Sequence, residues 1–273
     1  MKTKLTNYGT RIPEDENEKL WKYLDIWKFI NLLSTSELYF TRADIIKKLE
    51  PFDGKYPDKY YEILKNAYLQ LNNGDNLKTL MDANFEWEYL KAFDKLFFIN
   101  CWNISSQESA AMWKIYTQNN QGVALQTTYK KLVNSIEHIE QKNIALGLVE
   151  YINHKTLKFE NENSLNFVNS VYNPFFLKHI SYNYEKEFRL VYYEYNKTNI
   201  KSETKEILLG KMQYAYNIRE GINIPLNNLN NLIENVYASP FMESWQIEIL
   251  DILLEKFLIN KKIKHSDLYY KGI

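Results

Sequence analysis

Two glutamates and an arginine occupy alternate positions in the segment SYNYEKEFRLVYY and could carry chemistry. Alternate side chains of an extended strand share a face, so Glu185, Glu187 and Arg189 are expected to point the same way. A guanidinium beside one of two carboxyls about 7 Å apart keeps that carboxyl ionised and leaves the other freer to exchange a proton. The segment predicts either a catalytic pair of acids, Glu187 and Glu185, or a charged edge strand with a structural salt bridge.

A second group of candidate residues lies where the strand LYFTRAD ends. Arg42 and Asp44 stand just before the chain leaves for a loop, and an arginine at such a position can hold a phosphate or carboxylate through two parallel hydrogen bonds. An ordinary surface arginine fits the same pattern. Arg42, Asp44, Lys178 and Arg189 are nevertheless included among the residues predicted to bind a substrate or cofactor.

One predicted helix adds further candidates. The segment QESAAMWKIY places Glu108, Met112 and Tyr116 on one helix face, with Trp113 one step around the helix. Glu108, Trp113 and Tyr116 are therefore candidate binding residues. The same stripe is also typical of a helix that packs on a core.

The composition indicates a folded soluble protein. The chain has 273 residues, of which 45% are hydrophobic and 25% charged, enough to build one substantial core. Its 34 basic residues balance its 34 acidic residues, so the overall charge gives no support for a nucleic-acid partner.

The cysteine content and the hydrophobic pattern predict the compartment. Cys101 is the single cysteine, which excludes an internal disulfide and fits a reducing environment. Its position inside LFFINCWNI favours a small buried side chain over a nucleophile. The N-terminus is polar, and no stretch approaches the roughly 18 apolar residues that span a bilayer. We therefore predict a cytoplasmic protein with no membrane segment.

Common cofactor and metal motifs are absent from the sequence. It contains no glycine-rich phosphate loop and no G-x-S-x-G nucleophile elbow. The four histidines are far apart, and none has another His or Cys at ligand spacing: His138, His154, His179 and His265. No metal site is predicted.

The elements expected to position these residues begin with a β-α-β unit. Lys19 to Leu24 reads as a strand, Asp25 as the cap of a helix with one apolar face, and Leu38 to Ala43 as a second strand. Prolines and a glycine predict a loop next. Two inserted helices should follow, from about Lys59 to Leu71 and from Ala83 to Phe93.

The rest of the chain alternates strands with helices. Strands are predicted at Leu96 to Trp102, Val123 to Thr127, Leu146 to Ile152, Glu187 to Tyr195 and up to Ala238. Helices are predicted from a capping box at Ser105 and Glu108 to Gln118, at Tyr129 to Ile139, at Leu165 to His179 and near the C-terminus. These elements predict one α+β domain over residues 1–273, with a central mixed or antiparallel sheet, flanking helices and a helical insertion at about residues 45–95.

With these residues laid out, the sequence resembles a bacterial family known as domain of unknown function 2971. The resemblance covers most of the chain and rests on the order of short segments: LYFTRAD, PFDG, FFINCWN, ESAAMWKIY, GVALQTT, YEKEFRL and YASP. The family commonly has an Asn-Asp-Pro-Phe-Glu-like segment after the second strand. Here the chain reads DIIKKLEPFDG, which leaves the role of Glu50 or Asp53 open.

The β-α-β opening and the late E-x-E segment also look like the layout of ADP-ribosyltransferases. That resemblance implies that Glu187 or Glu185 orients a ribose hydroxyl of NAD and stabilises the positive charge formed when nicotinamide leaves. It implies a phosphate contact for Arg42 and stacking roles for Tyr23 and Trp102. Those enzymes carry His or Arg on the first strand, where this chain has Lys22 and Tyr23.

Three functions are compatible with these observations. The first is an NAD-consuming enzyme that acts as a toxin or phage-defence effector, by transferring ADP-ribose to a macromolecule or hydrolysing NAD. The second is a non-catalytic ligand-binding or interaction module, in which Glu185, Glu187 and Arg189 form a structural ion-pair network against ESAAMWKIY. The third and most distant is a nuclease in which Asp44, Glu108 and the later glutamates hold Mg²⁺.

Overall fold

The computed structural model describes residues 10–57, 94–117, 121–136, 143–155, 172–194 and 219–268. The two predicted helices between Lys59 and Phe93, and the first part of the one predicted from Leu165, lie outside these ranges. The described residues form helices around one large mixed sheet, so the predicted α+β class is confirmed. No helix in these ranges is both long and apolar enough to cross a membrane.

Most of the predicted strands and helices occur in the predicted order, and several further short elements lie between them. The strands are β1 Lys19–Asp25, β2 Glu37–Arg42, β3 Phe97–Ile104, β4 Gly122–Thr128, β5 Ile144–Leu148, β6 Glu150–Ile152, β7 Leu177–His179, β8 Glu187–Tyr193, β9 Gly221–Pro225, β10 Asn235–Ala238 and β11 Ile263–Lys264. The helices are α1 Ile26–Thr35, α2 Ala43–Leu49, α3 Ala110–Tyr116, α4 Tyr129–Ile136, α5 Leu229–Leu232 and α6 Ser244–Lys256. Short 3-10 turns cover Asp94–Leu96, Asn173–Phe176 and Ile180–Glu185.

The opening β-α-β unit forms as predicted. The side chain of Asp25 accepts a hydrogen bond from the backbone N–H of Lys28 and so caps α1. Ser36 ends the helix in the left-handed conformation, with a φ of 55°. The helix buries Phe29, Leu32 and Leu33 in the large core against the sheet. It thereby connects β1 to β2.

Strand β3 is the centre of the sheet. It pairs antiparallel with β8 from Phe97 to Asn103, so β1 and β2 share its other edge. β1 pairs with the C-terminal end of β3 and β2 with its N-terminal part. Between these two contacts, no strand in the described ranges pairs with residues 100–102 on that edge. The sheet is therefore split between β1 and β2.

Two polar side chains bridge this split. Lys22 Nζ donates to the backbone oxygen of Cys101 at 3.0 Å and to Asn100 Oδ1 at 3.2 Å. Asn100 Nδ2 donates in turn to the backbone oxygen of Tyr39 on β2 at 2.7 Å. These bonds satisfy backbone groups that a continuous sheet would pair with another strand.

The two faces of the sheet are covered differently. One face packs on a large core to which α1, α4 and α6 contribute. The other face carries two smaller clusters. The Phe97 cluster includes Phe97, Ile99, Phe175, Phe176 and Val191. The Trp21 cluster includes Trp21, Tyr23, Met112, Trp113 and Ala124. Polar side chains lie between these two clusters, near the start of β8.

Four local predictions differ from the structure. The predicted loop begins with a helix, α2, and the predicted strand from Leu146 to Ile152 is two strands because β6 leaves the main sheet to pair with β7. The segment from Asn173 to His179, predicted as the end of a helix, instead forms a 3-10 turn that contains Pro174, followed by β7. Helix α3 is capped by Ser109, since Glu108 is engaged by tertiary contacts instead.

Candidate functional site

A buried set of charged side chains occupies the N-terminal end of β8, and we call it the ion-pair network. Its members come from the loop after α2, from β7, and from β8 and the turn before it: Glu50, Asp53, Lys178, Glu185, Glu187 and Arg189. Five of the six are buried, and only Glu50 is partly exposed. Segments far apart in the sequence are thus joined at one end of the sheet.

Arg189 ties the loop after α2 to β8. Its Nη1 and Nη2 donate to the two carboxylate oxygens of Asp53 at 2.8 and 2.6 Å. Its Nε donates to Glu187 Oε2 at 2.5 Å, and Nη1 also donates to the backbone oxygen of Phe175. The guanidinium is 1% exposed, so four charge-assisted hydrogen bonds replace its hydration shell.

Lys178 holds the carboxyls on the other side of the network. Its ammonium donates to Glu185 Oε2 and to Glu187 Oε1, and it lies 2.8 Å from Glu50 Oε2. The ammonium also lies 4.8 Å from the centre of the Tyr182 ring. Both carboxylate oxygens of Glu187 are therefore occupied, one by Lys178 and one by Arg189.

Glu185 reaches the network by a route that differs from the predicted one. The strand begins at Glu187, and Glu185 ends a 3-10 turn. Lys186 lies between them with a φ of 42°, in the left-handed region, so regular strand alternation does not place Glu185. The two glutamates nevertheless meet, because the turn brings Glu185 back to Lys178.

The two glutamates have opposite pKa shifts. Burial, together with a hydrogen bond and the charge of Glu187, raises the pKa of Glu185 from its ordinary value of 4.5 to about 8. Burial alone would raise the pKa of Glu187, but Arg189 and Lys178 outweigh it and hold that pKa well below its usual range. These opposite shifts favour a single proton on the pair, held towards Glu185.

This proton makes the stability of the chain depend on pH. Between about pH 4.5 and 8 the folded chain keeps a proton on Glu185 that the unfolded chain releases, so the free energy of unfolding falls as the pH rises. Glu185→Gln keeps the neutral shape and removes this component. We expect the difference between wild type and variant to fall by up to about 1.4 kcal/mol per pH unit, measured by denaturant unfolding from pH 5 to 8. Parallel pH profiles of the two proteins would contradict a protonated Glu185.

Arg42 and Asp44 lie away from the network. Arg42 pairs with Phe98 across the sheet, whereas Glu187 pairs with Asn103 at the other end of β3. The guanidinium of Arg42 donates to Asp44 at 2.5 and 3.1 Å and to the backbone oxygen of Arg219 at 2.6 Å. The convergence of Arg42 with the glutamates in one cleft is therefore not observed.

Trp102 lies on the opposite face of the sheet from the network. It is paired with Phe188, and its ring is 2% exposed within the large core. Its indole Nε1 donates to Asn100 Oδ1 at 2.8 Å. Successive residues of a strand face opposite ways, so Trp102 cannot line a cleft that contains Glu187.

Three other candidates, Tyr23, Trp113 and Glu108, lie together at α3. The rings of Tyr23 and Trp113 meet edge to face at 5.1 Å, and Tyr23 Oη accepts from the backbone N–H of Ser109. Glu108 accepts from Trp113 Nε1 at 2.8 Å and from Ser266 Oγ at 2.6 Å. These contacts fix the position of α3 on the sheet.

Tyr116, at the end of α3, is the candidate of this helix that faces the network. It is 37% exposed. Burial raises the pKa of its hydroxyl, and the charges of Glu185 and Glu187 raise it further. Cys101 lies on the sheet between the helix and the network, is half-buried, and has a thiol pKa raised mainly by burial. The surface between the two small clusters is thus bordered by Tyr116, Cys101 and the network.

Sequence reasoning missed four polar residues of this region. Asp53 and Glu50 belong to the network, and the segment EPFDG was the only signal for them. Tyr151 accepts from the backbone N–H of Glu187 at 2.8 Å. Lys22 bridges the split sheet, and burial lowers its pKa to about 8. Nothing in the local sequence connects any of these side chains with β8.

Residues 112–190 match the model of a family described as protein of unknown function, DUF2971. The matched range includes most of α3 and four members of the network: Lys178, Glu185, Glu187 and Arg189. This supports the resemblance to that family over this part of the chain. No curated protein and no solved structure matches the chain, so the resemblance to ADP-ribosyltransferases is not confirmed.

Proposed function

We propose that the chain is a non-catalytic ligand-binding or interaction module, in which the ion-pair network is structural. The observation that carries this proposal is the state of Glu187, which is 4% exposed and has both carboxylate oxygens held by buried cations. A carboxylate in this state has no free oxygen with which to contact a ribose or a water. Its role is to join β8 to β7 and, through Arg189, to the loop after α2.

The surface beside the network supports a ligand that donates hydrogen bonds. The network has four carboxyls and two cations, so its carboxyls outnumber its cations even when Glu185 is left out. Asn103, which is 3% exposed and faces the same side of the sheet as Glu187, uses its amide N–H to bind the backbone oxygen of Glu185. Its Oδ1 is buried without a hydrogen-bond partner. An amine or guanidinium compound would supply the missing donors.

A second candidate function is the NAD-consuming enzyme. The feature in its favour is the opposite pKa shifts of Glu185 and Glu187, because enzymes that cleave glycosidic bonds commonly use one protonated and one ionised carboxyl. In this role Glu185 would be the acid, and the exposed Tyr116 the residue closest to solvent. NAD would be the substrate, with ADP-ribose transferred to a macromolecule or to water as a toxin or phage-defence effector.

Two assays, each with one variant, separate these functions. Spermidine and arginine, as multi-donor cations, are expected to raise the melting temperature of the wild type, and Tyr116→Ala is expected to reduce that shift. Incubation with NAD is expected to release no nicotinamide. The enzyme would be established instead if the wild type released nicotinamide and Glu185→Gln abolished that release while melting like the wild type. A chain that neither cation stabilises would overturn the proposed ligand class.

A further inference from the structure

Helix α6 is apolar on two opposite faces. Ile247, Leu250 and Leu254 are buried in the large core. At 100° per residue, Trp245, Ile249 and Ile252 fall on the other side of the helix, where they are 56%, 46% and 62% exposed. A helix that packs on one side only needs a single apolar face, so the outward face is unexplained by the part of the chain that the structure describes.

Two further large apolar side chains are exposed next to the ends of the helix. Phe241, just before α6, is 71% exposed, and Leu258, just after it, is 85% exposed. With Trp245, Ile249 and Ile252, the exposed parts of these side chains amount to roughly 500–800 Å² of apolar surface, taking about 150–250 Å² for each large side chain. Monomers seldom expose a continuous patch larger than about 300–600 Å². A standard interface covers about 800 Å² on each partner, so this patch has the size of one half of an interface.

The sequence of residue types along this face is complementary to itself. In an antiparallel pair of α6 helices crossing near Ile249, that residue would meet Ile249 of the second copy. Phe241 would lie opposite Leu258, and Trp245 opposite Ile252, of the second copy. Glu243 would lie opposite Lys256. A two-fold axis requires this pattern, since every contact it makes occurs twice in exchanged form.

We propose that two copies of this chain associate through α6, packed antiparallel about a two-fold axis near Ile249. The indole Nε1 of Trp245 already donates to Glu243 Oε2 at 2.7 Å, so this polar group needs no partner from the second copy. The dimer surface lies on the side of the sheet that carries the large core, opposite the ion-pair network. The dimer therefore does not depend on the proposed function, and either can fail without the other.

Light scattering of the purified full chain over a range of micromolar concentrations tests the dimer. The wild type is expected to have twice the mass of one chain, and Ile249→Glu to have the mass of a single chain with an unchanged melting curve at low concentration. Ile115→Glu is the matched control, because Ile115 is 49% exposed on α3 and lies outside the proposed contact. A monomeric wild type, a dimer that persists in Ile249→Glu, or an assembly larger than two chains would each overturn the proposal.

Cysteine substitution tests the register. A mixture of Phe241→Cys and Leu258→Cys chains is expected to form a disulfide-linked dimer on mild oxidation, since a disulfide needs Cβ atoms about 3.8 Å apart. Each variant alone is expected to cross-link poorly, as is the wild type, whose single cysteine is Cys101. Equal cross-linking of either variant alone and of the mixture would exclude the antiparallel register.

Discussion

Replacing Glu187 by Gln is expected to lower the free energy of unfolding by about 3–5 kcal/mol, the usual cost of breaking a buried ion pair. Both carboxylate oxygens accept from cations, so the amide nitrogen of the new side chain must face either Lys178 Nζ or Arg189 Nε, a donor against a donor. For a chain of this size the melting temperature should fall by on the order of 10 °C. Denaturant unfolding followed by circular dichroism measures the change.

Glu194→Gln is the matched control for this prediction. Glu194 follows the same strand and pairs with Arg219, but the two side chains are 20% and 48% exposed. An exposed pair contributes about 0–1 kcal/mol, so this variant should melt close to the wild type. If the free energy of unfolding fell by the same small amount in both variants, Glu187 would not stabilise the fold and the structural role proposed for it would be wrong.

Arg189→Met should be at least as destabilising as the loss of Glu187. Methionine keeps most of the stem and removes the guanidinium, which leaves the carboxylate of Asp53, 2% exposed, without its two hydrogen bonds. The backbone oxygen of Phe175 also loses its donor. We expect a loss of about 3–5 kcal/mol or more in the free energy of unfolding. Arg219→Met, on the exposed pair, is expected to cost less than about 1 kcal/mol.

A double-mutant cycle attributes this loss to the Asp53 contact. In Asp53→Asn/Arg189→Met the buried negative charge has been removed together with its partner, so the double variant should be more stable than the sum of the single losses predicts. A coupling of about 0.5–3 kcal/mol is typical of residues in direct contact. Strictly additive losses would mean that Arg189 stabilises the fold through its other contacts.

The opening of the chain could be predicted from local signals alone. Asp25, the apolar spacing of α1 and the alternation in β2 are properties of short segments, and each formed as expected. The position of helix α3 was predicted correctly, but its cap is Ser109 and not the predicted capping box of Ser105 and Glu108. Glu108 binds Trp113 and Ser266 instead, and Ser266 is distant in the sequence. The last part of the helix predicted to reach His179 is a 3-10 turn containing Pro174 and a short strand, which the pattern of apolar residues did not predict.

The character of β8 could not be predicted from the sequence. Alternating charges on a strand normally indicate a solvent face, yet Glu187 and Arg189 are both buried. Their burial is possible only because Asp53 and Lys178 arrive from other segments to compensate the charges. Asp53 lies 136 residues before Arg189 in the chain, and no local pattern contains this pairing.

The pairing of β3 with β8 also bears on how this protein folds during its synthesis on the ribosome. The central strand is made early, with apolar residues on both faces, but the strand that covers one whole edge of it begins only at Glu187. Throughout the intervening translation, β3 presents unpaired backbone N–H and C=O groups and an apolar surface, the features that lead nascent chains to aggregate. The carboxylate of Asp53 likewise cannot form its ion pair until Arg189 has been synthesised. Both partners become available only late in synthesis, when β8 emerges.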